Sequence, residues 1–120
     1  MGRIAFVTPV FVALLGAWTL LNGLLHDGFV LGQGRKYDRD LLRLLLDGHV
    51  LITSGLVLLL ASFGIWKGEV WGALLGLIIC ASMLLYCGMI FPFLKSYGMM
   101  GLHLIGIVLL ITFLIQHKAT

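Results

Sequence analysis

The side chains able to move protons or hold a ligand fall in short stretches of an otherwise apolar chain: Asn22, His26 and Asp27; Arg43, Asp47 and His49; then Tyr86 and His103. Histidine and aspartate in such a cluster supply general acid–base groups for an enzyme acting on a lipophilic substrate. Two opposed histidines, here His49 and His103, are all that axial ligation of a haem requires, and they would equally face a quinone. Met83, Cys87, Met89, Met99, Met100 and His103 add soft ligands of the type that suits Cu(I), and hence metal or proton handling. Each residue also has a plain structural use. Methionine and cysteine fill core gaps, asparagine joins helices, and aspartate at position 47 caps a helix beginning at His49.

Elements that position these groups must be helical and lipid-facing. Of 120 residues, 61% are hydrophobic and 11% charged, against roughly 25% charged in soluble domains. A chain this short has too little interior to hide that much apolar surface from water. Apolar stretches at 4–25, 46–66, 70–94 and 97–116 approach or exceed the ~20 residues needed to span a bilayer. Open sheets cannot satisfy their backbone in lipid. We therefore expect one all-α integral membrane domain over residues 1–120, an antiparallel four-transmembrane-helix bundle. Lys67-Gly68-Glu69 and the region of Lys95-Ser96 are tight turns, and short turns make neighbours antiparallel.

The one long connection expected, 26–48, joins helices 1 and 2 and holds four of the eight Lys and Arg residues and four of the five acids. Its Gly-rich first part, 28–34, reads as irregular or interfacial. Its second part, 38–47, reads as helix, capped by Asp38 or Asp40 and supported by an Arg43–Asp47 pair at i,i+4. Arg35, Lys36, Arg39, Arg43 and Lys95 fall on one side, and Arg3, Lys67 and Lys118 on the other. The positive-inside tendency then puts the long loop in the cytoplasm and both termini outside, in a multi-pass protein of a bacterial inner membrane. The net charge of +3 rests on few residues, and bases beside membrane spans meet lipid headgroups, so no nucleic-acid partner is implied. Gly72 and Gly76 form a GxxxG pair, continued by Cys80, that allows close helix approach within the bundle, in a homo-oligomer or in a larger membrane complex.

Antiparallel threading collects Asn22, His26, Asp27, Arg43, Asp47, His49, Tyr86, Cys87 and His103 in the half of the bundle nearest the long loop. Ionisable groups buried in a membrane mark a functional site by default. His103 is the strongest candidate: it lies between Leu102 and Leu104, two turns inside its helix, and should point inward near Tyr86 and either Asp47 or His49. Asp47 and His49 lie about 200° apart on a helix, so only one of them can face His103. A metal site using every histidine and aspartate is thereby excluded.

The segment Asp40-Leu-Leu-Arg43, with Leu84-Leu-Tyr86 and then Gly98-Met99, resembles the small four-helix membrane enzymes that act on eicosanoids and glutathione. That resemblance implies a trimer binding glutathione between subunits, with Arg43 the one residue carried over. The chain departs from the pattern at Asp47-Gly-His49, where those enzymes have Asn and Glu, and it lacks their third-helix Arg. The residues themselves favour a polar, His-containing pocket opening toward the long loop and binding a lipophilic ligand or cofactor, quinone-like or haem-like. A membrane enzyme, a metal or proton transporter and a purely structural subunit are the alternatives.

Overall fold

The computed structural model describes residues 3–119. They form four helices: α1 (Arg3–Gly32), α2 (Arg39–Trp66), α3 (Val70–Ile90) and α4 (Tyr97–Ala119). Each is long and apolar enough to cross a membrane. Helix α1 packs most extensively on α2, α2 on α3, α3 on α4, and α4 more lightly back on α1. The core of this ring is built from Val12, Leu15, Leu58, Ala61, Ile65, Ala73, Cys80, Leu110 and Phe113. Much of the outer surface is apolar, with Leu14, Phe63, Ile78, Leu85 and Val108 among the exposed side chains.

Glycine sets the α1–α2 spacing. Gly16 faces the Gly55 carbonyl and Leu58, and Gly23 faces the Gly48 carbonyl and Ile52. A side chain at either position would stand within 3.0 Å of α2 backbone atoms, so only hydrogen permits this separation. The glycines recur every seven residues on both helices, which returns them to one face every two turns. Seven residues further along each helix, Ser62 donates its hydroxyl to the Pro9 carbonyl at 3.0 Å, tying α2 to α1. At the next interface Gly72 meets the backbone of Ala61, Gly64 and Ile65, whereas Gly76 meets Leu110 and Ala61. The GxxxG face thus packs inside the ring.

Three boundaries differ from the sequence expectation. Helix α1 runs through Gly28 to Gly32, and Val30 in this last stretch is buried. The connection from α1 to α2 is therefore only residues 33–38, not a long loop. Asp38 caps α2 by accepting the Leu41 N–H at 2.8 Å, so Asp47 sits mid-helix and is not a cap. Helix α3 ends at Ile90 and not at Leu94, since Pro92 has no N–H to continue the ladder and disfavours helical backbone before it.

The helices also differ in length. Thirty residues make α1 about 45 Å long and 21 make α3 about 31 Å. The molecule measures 56 × 26 × 18 Å. Tyr86, four residues from the end of α3, bonds Asp47, eight residues into α2. The start of α2 therefore overhangs α3 by roughly 6 Å, and the end of α1 goes with it.

Candidate functional site

A cleft of about 540 Å³ opens at the end of the ring that holds residues 33–38 and 91–96, a size common for small-molecule pockets. All four helices contribute. Asn22 and His26 come from α1, Asp47 and Leu51 from α2, Tyr86, Cys87 and Ile90 from α3, and Met99 from α4. Phe93, Leu94 and Ser96 close it from the α3–α4 connection. Four of the eight expected site residues, Asn22, His26, Asp47 and Tyr86, are thus brought to one wall.

Local geometry leaves their polar atoms in defined roles. Tyr86 donates its hydroxyl to Asp47 Oδ1 at 3.2 Å, which spans α3 to α2 and leaves Asp47 Oδ2 free among the described residues. Asn22 donates Nδ2 to the Trp18 carbonyl at 2.8 Å, so its Oδ1 is the atom left over. His26 Nδ1 lies 3.2 Å from Asp27 Oδ1; a carboxylate only accepts, so Nδ1 is the donor of this pair. Gly48 makes this pairing fit, because a methyl group there would collide with the Asp27 carboxylate and lie 2.9 Å from His26 Nδ1. Ser96 Oγ is buried and has no partner.

The remaining expected residues lie elsewhere. Asp47 faces the cleft, and His49, two positions later, is turned away; it is exposed and lines a separate groove of about 400 Å³ with Asp27, Leu31, Leu42, Leu45 and Leu46. Arg43 is exposed, and among the described residues no ion pair joins it to Asp47; the carboxylate is taken by Tyr86 instead. His103 is fully buried as expected, but it bonds its own helix, Nδ1–H donating to the Met99 carbonyl at 2.8 Å. Its Nε2 is buried without a partner. His49 and His103 therefore do not oppose each other as axial ligands would.

The soft residues divide in the same way. Met83 and Cys87 are buried, Met89 is 69% exposed, and only Cys87 and Met99 line the cleft. Among the described residues no three His, Cys, Asp or Glu side chains stand close enough to hold a metal ion. Composition alone did not single out Leu51, Ile90, Phe93, Leu94 or Ser96, since apolar residues abound everywhere in this chain. The turn chemistry of Pro92 was the available signal that residues 93–96 leave the helix and fold over the cleft.

No known protein family, no curated protein and no solved structure matches the chain.

Proposed function

We propose that this chain is a multi-pass membrane protein, an antiparallel four-helix bundle whose end cleft binds a small lipophilic molecule, alone or as a subunit of a larger membrane complex. Antiparallel order is supported by the facing pairs: Pro9 with Ser62, Gly16 with Gly55, and Gly23 with Gly48. Membrane insertion is supported by four long apolar helices whose outer faces carry leucine, isoleucine and phenylalanine. Arg35, Lys36, Arg39, Arg43 and Lys95 at the cleft end, against Arg3, Lys67 and Lys118 at the other, favour a cytoplasmic cleft end.

The observation that carries the binding reading is the cleft itself. Much of its lining is apolar, with Leu51, Ile90, Phe93 and Leu94, and a few polar side chains, Asn22, His26, Asp47 and Tyr86, join them. That division suits a ligand with an apolar body and one polar end. The polar end would lie toward Asp47 and Tyr86, and the body toward Phe93 and Leu94. Filling the cleft tests this: Leu51→Trp should abolish saturable uptake of a lipophilic fluorescent probe by the purified protein in nanodiscs. Leu104→Trp, on the exposed face of α4, should leave uptake unchanged. Equal uptake by parent and Leu51→Trp would refute the reading.

A further inference from the structure

The Asp47 carboxylate dominates the polar lining of the cleft. Its Oδ2 is left as an acceptor beside Asn22, whose amide keeps its Oδ1 and the N–H not used on the Trp18 carbonyl. The Tyr86 hydroxyl already donates to Asp47 Oδ1, and the Ser96 hydroxyl can donate or accept. Among the described residues no Lys or Arg lines the cleft. The nearest bases stand outside it: Arg43, exposed and one turn before Asp47, and Lys95, whose Nζ lies 4.4 Å from the Phe91 ring centroid.

A ligand's polar end must complement that set. A carboxylate or phosphate would meet the Asp47 carboxylate with like charge and no Lys or Arg on the lining to offset it, and a neutral carbonyl would leave that charge unpaired. A cationic ammonium brings donors and the opposite charge, and the rings of Tyr86 and Phe93 on the same lining suit a cation as well. A neutral hydroxyl would satisfy one acceptor without offsetting the carboxylate. Resting on the binding reading above, we propose that the cleft selects lipophilic cations, an ammonium head on an apolar body, with Asp47 as the counter-charge. Tyr86 is then a positioning residue, whose hydroxyl fixes the Asp47 carboxylate with Oδ2 turned to the ligand.

The test compares three probes of one chain length, octylammonium, octanol and octanoate, by equilibrium dialysis against the full chain in zwitterionic nanodiscs, with empty nanodiscs subtracted. Octylammonium should bind saturably and at least about tenfold tighter than either of the others, the difference typical of a charge-assisted contact. Asp47→Asn keeps an oxygen that can accept from Tyr86 and removes the charge. It should lower octylammonium affinity about tenfold and leave octanol affinity within about twofold. Tyr86→Phe should weaken octylammonium binding less than Asp47→Asn does. Saturable octanol or octanoate binding as tight as octylammonium, or an Asp47→Asn variant of parental octylammonium affinity, would overturn the cation selection and leave the cleft a binding site. Absence of saturable binding for all three would overturn both.

Discussion

Replacing Gly23 by alanine probes a close approach of α1 to the backbone of α2. The added methyl would lie 2.7 Å from the Gly48 carbonyl oxygen, the Ile52 amide nitrogen and Ile52 Cγ1. Two of these are backbone atoms of α2 and cannot swing aside. Ordinary contact needs about 3.5 Å, so the helices must part by roughly 0.8 Å along this line. Parting them loosens Asn22 and His26, one and three residues away on the cleft lining. Overpacking of this type costs about 1–3 kcal/mol, and the rigidity of the obstacle puts Gly23→Ala toward the upper end. Gly88→Ala is the matched comparison, since nothing stands within 4 Å of a methyl there. It should be neutral or stabilise by up to ~1 kcal/mol through helix propensity. Both can be followed by reversible unfolding in mixed micelles with Trp fluorescence as the readout. Equal midpoints for Gly23→Ala and Gly88→Ala would refute the account of glycine as the spacer.

Gly76→Leu should cost about 1–3 kcal/mol and leave the assembly size unchanged, because the site already meets Leu110 at 3.1 Å inside the ring; analytical ultracentrifugation beside the unfolding assay separates these effects. Ser62→Ala should lose roughly 0.6 kcal/mol, the mean for interhelical hydrogen bonds in membranes. His103→Leu should keep stability within about 1 kcal/mol, since it removes a buried unpartnered Nε2 while filling the same space; His103→Asp should prevent folding, as scored by aggregation on gel filtration. Cysteines placed at 36 and 118 should label from opposite faces of sealed vesicles, and labelling from the same face would end the four-span topology.

How much of this was legible in the sequence depends on the kind of signal. The existence of four helices followed from apolar length, which a bilayer makes almost obligatory. Their ends did not follow, because glycine content suggested a break at 28–34 where burial of Val30 carries α1 onward to Gly32. The grouping of Asn22, His26, Asp47 and Tyr86 at one end came from threading direction alone. Rotation about each helix axis was the harder quantity. A two-residue spacing could say that Asp47 and His49 face apart, but not which of them faces inward. Gly48 and Gly55 mark the face of α2 that touches α1, but Asp47 and His49 flank Gly48 by about 100° on either side, so the choice between them waits on where α3 packs and brings Tyr86 to Asp47.

The order of assembly follows from the packing of α1 on α2. Facing glycines and the Ser62–Pro9 bond let the first two helices close on each other as soon as residues up to 66 have left the ribosome, using contacts made within one hairpin. Every polar wall atom of the cleft on α3 and every closing residue from 93 to 99 arrives later in synthesis. The cleft therefore cannot form until the α3–α4 connection has been made, and a chain truncated after α2 keeps Asn22, His26 and Asp47 with no lid and no Tyr86.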